Sequence, residues 1–293
     1  MAKDDSLLKG ASPNTLDAVD ALQQMLQPYP VKPSLGMQYG RENKYVTWKF
    51  DPKEYPDGIE LLHITDTQFG HVECQVDRIV EYRDWVLSKP NRFVLLGGDM
   101  IDAATVLSPG QPWENVAGPQ SQVYQWCELW APARHRTLGY VGGNHERRGL
   151  KTFGDIGLMI AYLLKIPYSS GQQLIDIHYG QHKPFKVHLY HGRGAARTKG
   201  AKVMMVYQLM KDYPGSQLYL VGHLHDCFIL PTIVWERIPG ANNVKMMKAI
   251  GAMSSSFLNF WGTYTEVAAL SANDVLMVRT ILEPNGHWEA TIR

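Results

Sequence analysis

Apolar residues come in two rhythms along this chain. Short continuous runs at 59–65, 92–96, 138–141, 186–190 and 217–221 have the length and composition of strands, while 75–87, 122–130 and 201–211 space their apolar positions as helices do. From 228 to 292 the pattern is mostly strand-like, with turns at Pro239-Gly240, Asn242-Asn243 and Asn285-Gly286. The order is therefore βα through the first half and β-rich through the second, which predicts an α/β protein. Residues 1–45 read as a separate helical extension. Asn14 and Thr15 open a run in which Leu16, Val19, Leu22, Met25 and Leu26 share one helical face, and Pro28, Pro30 and Pro33 end it. A helix packed on the body is the expectation for it, and a partner-binding arm the alternative. No repeat, low-complexity segment or dividing linker interrupts 46–293, which is read as one domain.

Composition narrows the class without naming a substrate. At 293 residues and 45% hydrophobic content the chain can bury a substantial core, which excludes a disordered protein. A net charge of +1, with no long like-charge run, means that affinity for nucleic acid would have to come from a local patch. The longest apolar runs, 93–98 and 229–235, are too short to cross a bilayer, and the first residues lack a signal-peptide apolar region, so a cytoplasmic protein with no membrane partner is expected. Cys74, Cys127 and Cys227 are far apart and form no Cys-x-x-Cys pair, which fits buried free thiols.

The candidate chemistry lies just beyond the strand-like runs. They are followed by Asp66-Thr67-Gln68, by Gly98-Asp99-Met100-Ile101-Asp102, by Gly143-Asn144-His145-Glu146, by His191-Gly192 and by Gly222-His223-Leu224-His225. Ligands in α/β sheets bind outside the carboxyl ends of strands, so five strand ends can bring polar side chains to one place. Carboxylates and an Asn carbonyl suit hard cations and imidazoles suit borderline ones; the mixture suits manganese, iron or zinc. Each piece alone is a turn signal or a surface pair. Five in one chain point to a single site.

At these residues the chain resembles the calcineurin-like metallophosphoesterases, whose motifs run Asp-x-His, Gly-Asp-x-x-Asp, Gly-Asn-His-Asp/Glu, a separate His, and Gly-His-x-His. The match spans Asp66 to His225 in the family's order. The Gly- and Arg-containing stretch after His191 also resembles phage- and prophage-encoded members. The resemblance implies a two-sheet β-sandwich flanked by helices, a four-layer αββα fold, with two divalent metal ions at one edge. It implies that Asp66 and His225 hold the first ion, that Asp99 bridges both, and that Asn144, His191 and His223 hold the second. It further implies activated water attacking phosphorus, with Asp99 and His145 as the catalytic residues and His145 acting on the phosphate oxygens or the leaving group. One position departs from the pattern: Gln68 stands where the family has His, offering at most a neutral amide oxygen. That shifts the first site toward harder ions, manganese above all and also magnesium, with iron and zinc as the other candidates. The alternatives are that His71 replaces the missing imidazole or that the first site fills only with substrate.

The residues around these motifs bear on the substrate. Arg147, Arg148 and Lys151 follow the third motif, and Arg193, Arg197, Lys199 and Lys202 follow the fourth. Arg147, Arg148, Arg193 and Arg197 are candidates for gripping phosphate, against the plainer account of solvated loop charges. Phe257, Phe260, Trp261 and Tyr264 read either as a wall for a flat group or as core, and the insertion at 106–119 as a lid or as ordinary loop packing. The expected function is a phosphodiesterase acting on DNA, RNA or a nucleotide. A phosphomonoesterase, including a protein phosphatase, and a non-catalytic scaffold are the alternatives.

Overall fold

The computed structural model describes residues 40–293 apart from 107, 109–111, 152–153, 238–239, 241–242, 262–265 and 267–273. The helix expected at 16–26 lies outside the described residues, as does Tyr264. Three successive βα steps build the first sheet: β2 (Ile59–Ile64), α1 (Val76–Leu87), β3 (Arg92–Leu96), α2 (Pro119–Trp130), β4 (Thr137–Val141), α3 (Ile156–Leu164) and β5 (Tyr168–Ser169). These four strands pair in parallel in chain order. A hairpin of β11 (Val278–Leu282) and β12 (Trp288–Ile292) extends the sheet antiparallel from β2. The second sheet has the order β1-β6-β7-β8-β10-β9, from β1 (Tyr45–Phe50), β6 (Gln172–Tyr179), β7 (Phe185–Tyr190), β8 (Leu218–Val221), β9 (Phe228–Arg237) and β10 (Val244–Met253). Helix α4 (Lys199–Asp212) carries the chain from β7 to β8.

The two sheets face each other. Leu61, Phe93 and Leu95 point into the space between them and meet Trp48, Ile175, Leu189 and Leu220. Their neighbours Leu62, Ile64, Val94 and Leu96 point the other way, onto Ile79, Tyr82 and Val86 of α1, Trp126 of α2 and Ile160 of α3. Helix α4 covers the far side of the second sheet through Val206, Leu209 and Met210. This is the expected four-layer αββα, metallophosphoesterase-like arrangement. Strands covered on both faces have no solvent side, which is why β2, β3 and β4 read as unbroken apolar runs.

Four elements were not anticipated: β1, α3, β5 and β6. Strand β1 is at a sheet edge, so Tyr45 and Lys49 are exposed between buried Val46, Trp48 and Phe50 and no continuous run advertises it. Helix α3 starts at Asp155, whose carboxylate accepts the Leu158 N–H at 3.0 Å, and stops at Lys165, which turns left-handed at φ 55°. Among the expected aromatic wall, Phe257 is core, edge-on to Tyr82 at 5.8 Å, while Trp261 is exposed. Trp126 and Trp130 stack at 5.5 Å in the core beneath the insertion, and Trp113 within it is exposed. All three cysteines are free thiols. Among the described residues no helix is long and apolar enough to cross a membrane. What matters for chemistry is that the carboxyl ends of β2, β3, β4, β7 and β8 open at one edge of the sandwich.

Candidate metal centre

The backbone at this edge is held in unusual conformations. Asp66, Gln68, Asp99, His223 and His225 all have positive φ, at 51°, 44°, 56°, 71° and 48°. Non-glycine residues rarely adopt this region, each at a cost of about 1–3 kcal/mol, and they do so where surrounding structure dictates a functional geometry. The loops also approach one another closely: a Cβ on Gly143 would sit 2.0 Å from Asp99 Oδ1, and one on Gly222 would sit 2.5 Å from Asp66 Oδ2. Glycine is required there by contact.

Asp99 is the centre of the first group. Its Oδ2 faces His191 Nε2 at 3.2 Å and His145 Nε2 at 3.7 Å, and its Oδ1 accepts the His145 backbone N–H at 2.8 Å. His191 donates Nδ1–H to the Gly97 carbonyl at 2.8 Å, which leaves Nε2 turned toward Asp99 and 3.0 Å from Asn144 Oδ1. That is how a ligating histidine is usually fixed from behind. His223 stands 5.1 Å from His191, ring centre to ring centre, and its Nε2 meets the Gly194 carbonyl at 2.8 Å. Candidate ligand atoms of Asp99, His191 and His223 lie within 4.8 Å of one another.

Asp66 is the centre of the second group. Its Oδ2 accepts the Thr65 hydroxyl at 2.6 Å and the His223 N–H at 2.8 Å. Its Oδ1, buried and without a hydrogen bond, faces His225 Nε2 at 3.4 Å. Gln68 is fully buried with its amide nitrogen 3.2 Å from the same His225 Nε2, so the residue that departs from the family pattern occupies the site and touches a candidate ligand. His71 faces elsewhere: Nδ1 accepts the Glu73 N–H at 3.1 Å and Nε2 is 3.8 Å from Glu114.

The electrostatics of the centre suit cations. Asp66 and Asp99 are 0% and 1% exposed, and their ion-pair partners here are imidazoles. Burial alone pushes the His191 pKa down, yet the Asp99 carboxylate outweighs it and raises that pKa to about 10. Burial likewise opposes ionisation of Asp99, and the His145 and His191 rings overcome it, so its pKa is lowered. A proton on His191 thus does, without metal, what a cation between Asp99 and His191 would do. His223, by contrast, has a lowered pKa from burial and from the neighbouring His191, which keeps it neutral and ready to donate a lone pair. The donor set, two carboxylates, the amide oxygens of Asn144 and Gln68 and three imidazoles, fits divalent ions of the manganese, iron or zinc type.

Two further motif residues, Asp102 and Glu146, hold the centre together. Asp102 accepts His145 Nδ1–H at 3.0 Å, its carbonyl lies 2.8 Å from the same nitrogen, and its Oδ2 accepts Asn115 Nδ2 at 2.7 Å. Asn115 in turn accepts from Gln122 of α2, so the insertion braces the imidazole from behind. Nothing in the sequence marked Asn115 or Gln122. Glu146, fully buried, accepts the N–H groups of Asp99, Met100 and Gly143 at 2.9, 2.7 and 2.8 Å and the Tyr140 hydroxyl at 3.0 Å, which ties the second and third loops together. Burial, then the nearby Asp99 charge, raises its pKa.

The four candidate arginines divide. Arg148 is at the centre, its guanidinium 3.0 Å from His145 Nε2 and donating to the Asp102 carbonyl at 2.5 Å. Arg147 donates to the Ser170 carbonyl at 2.5 Å, and Arg193 and Arg197 are exposed on the loop after β7. Lys202 is engaged differently, buried on α4 against Asp226 at 3.2 Å, directly after His225.

No protein-family model and no curated protein sequence matches the chain. Solved structures are similar in arrangement. A predicted phosphoesterase from Streptococcus pneumoniae is 15% identical, with a TM-score of 0.32 over 80% of this chain and 98% of its own. Vps29 from Entamoeba histolytica, solved in complex with zinc, is 14% identical, with a TM-score of 0.33 over 80% and 98%. A metallophosphoesterase from Sphaerobacter thermophilus is 13% identical, with a TM-score of 0.36 over 80% and 87%. Similarity at this level decides neither activity nor substrate. The four-layer αββα arrangement is the one that the motif resemblance implies; these structures do not bear on a likeness to phage-encoded members.

Proposed function

We propose that this chain is a phosphoester hydrolase working with two divalent cations, and that its substrate is a phosphodiester of nucleic acid or of a nucleotide. The observation that carries the proposal is the convergence of Asp99, His191 and His223 to within 4.8 Å, beside Asp66 Oδ1, a buried acceptor without a hydrogen bond. Asn144, His191 and His223 would hold one ion, Asp66, Gln68 and His225 the other, and Asp99 both. Ions bound there, manganese by the donor set and iron, zinc or magnesium as substitutes, supply a lowered pKa for water and neutralise phosphate charge.

The chain's own residues do the rest. His145 is oriented by Asp102, which holds Nδ1–H at 3.0 Å and leaves Nε2 directed into the centre to serve a phosphate oxygen or the leaving group. Burial and the Arg148 charge oppose a charged ring there, and the Asp99 and Asp102 carboxylates more than compensate, so the His145 pKa lies above its ordinary value. Arg148 is within reach of the same phosphate, while Arg147, Arg193 and Arg197 form the outer contacts of a longer substrate. A diester is favoured over a monoester because these outer cations extend beyond the centre, where a single phosphate has nothing to offer them.

A bis-aryl diester, an aryl monoester and labelled single- and double-stranded DNA, each assayed with manganese, test the reading. Diester or DNA cleavage is expected. Cleavage of the monoester alone would replace the substrate class. No turnover with metal bound would favour the scaffold reading, for which the contact between Gln68 and His225 is the motivating observation.

A further inference from the structure

Helix α3 is apolar on every side. From Ile156 to Leu164 it holds no charged residue and no polar one but Tyr162, and a helix of that kind belongs in an interior. One side is there: Ile156, Ile160, Ala161 and Leu164 are core residues. The other side is not. Met159, Tyr162 and Leu163, spaced three and four positions apart on one stripe, line a groove of about 590 Å³ together with Pro119, Val123 and Tyr124 of α2. Tyr124, Met159 and Tyr162 are 43%, 39% and 56% exposed in it. A contiguous apolar face of this sort, unlike scattered surface residues, marks a place where something docks.

The described part of the chain begins at this groove. Asn43 donates its N–H to the Tyr168 carbonyl at 2.6 Å and Glu42 bridges to the same residue, which fixes the incoming chain beside β5. Gly40 turns against α3: at φ 77° it lies so near Tyr162 that a Cβ would stand 3.0 Å from the ring. Tyr162 is therefore touched by the incoming chain on one side and lines the groove on the other. The residues ahead of Gly40 include the apolar stripe of Leu16, Val19, Leu22, Met25 and Leu26, with Asp17, Asp20 and Gln24 on the opposite face of the expected helix.

Length and tether both match. A helix over 16–26 would be about 16 Å long, against about 18 Å for α2. Residues 27–39, stiffened by Pro28, Pro30 and Pro33, span up to about 40 Å when extended, enough to set 16–26 anywhere along the groove. A segment on such a tether competes at a roughly millimolar effective concentration, whereas a second copy or a foreign helix competes only at its own. We propose that residues 16–26, outside the described residues, form a helix seated in the groove between α2 and α3 of their own chain, laying Val19, Leu22 and Leu26 against Tyr124, Met159 and Tyr162. No residue of the groove belongs to the metal centre, so the inference stands apart from the proposed activity.

Amide hydrogen exchange of the full chain, read peptide by peptide, tests it. Residues 16–26 are expected to exchange more slowly than an unstructured segment by about tenfold or more. Met159→Asp and, separately, Tyr162→Asp are expected to remove about tenfold of that protection, as loss of a central apolar anchor does, and to leave the loops of the metal centre unchanged. Leu22→Asp should reciprocally speed exchange across 119–130 and 156–164. Circular dichroism and thermal melting verify that each variant folds, and either groove variant suffices if the other does not. Exchange of 16–26 at the unstructured rate in the unaltered chain overturns the proposal in favour of a partner-binding arm. Protection that both folded groove variants leave intact also overturns it, since the segment is then seated elsewhere. So does protection that fades on dilution from roughly 100 to 1 µM, which would place the segment on a second copy.

Discussion

The two groups of candidate ligands sit side by side yet are built differently. Around Asp99, His191 is fixed by the Gly97 carbonyl, His145 by Asp102, and the loops by the acceptor oxygens of Glu146. Around Asp66 one carboxylate oxygen has no hydrogen bond, and an amide stands against His225 where the family resemblance leads one to expect an imidazole. A braced donor set loses little entropy when an ion arrives, and a neutral amide offers less to a cation than an imidazole does. The Asp99 half should therefore fill first and hold longest, with the Asp66 half setting the metal dependence.

The most severe test removes what both halves share. Asp99→Asn is expected to lower turnover on the order of 10⁴-fold while the melting curve stays cooperative. Near-normal turnover in the folded variant would remove the shared-ligand model. His145→Ala should cost about 10²–10⁴-fold in kcat with metal content unchanged, and most for poor leaving groups. Elemental analysis decides that case, because metal lost in step with activity would make His145 a ligand.

Smaller effects separate the halves. Glu146→Gln puts an amide NH2 among backbone donors that need acceptors, at a cost of about 1–3 kcal/mol in stability, and it should loosen metal binding around Asp99 while leaving the Asp66 half untouched. Denaturant unfolding with and without manganese measures both effects. Gln68→His should tighten the Asp66 half about tenfold and reduce the manganese needed for half-maximal activity by a similar factor. If the unaltered protein already keeps two metal equivalents through prolonged chelation, the comparison between halves fails.

The candidate ligands were legible because each follows directly on an apolar run, and a strand buried on both faces writes itself plainly into sequence. Gln68 stood out only against the family resemblance, as the one candidate ligand position that departs from its motif. Strands β1 and β6 were not legible, since edge strands such as β1 mix exposed Lys49 with buried Trp48, and parallel pairing of β1 with β6 joins residues more than 120 positions apart. Asn115 and Gln122 were invisible for a different reason: a polar side chain in an insertion or on a helix acquires its role only when the fold brings it under Asp102. The roles of Asp102 and Glu146 were equally tertiary, although both stood in plain view within motifs.

The crowding of the loops carries a consequence for how this protein can vary. A side chain at Gly143 would collide with Asp99 and one at Gly222 with Asp66, whereas at Gly118, just before α2, a Cβ meets nothing within 4 Å. A saturation library selected for function should return glycine alone at the first two positions and a broad spectrum at the third, with Ser, Asp or Asn enriched because Gly118 is the N-cap of α2. Heritable change is thus steered outward: the centre resists drift at its smallest residues, and new specificities have to be acquired in the insertion and the exposed loop after β7.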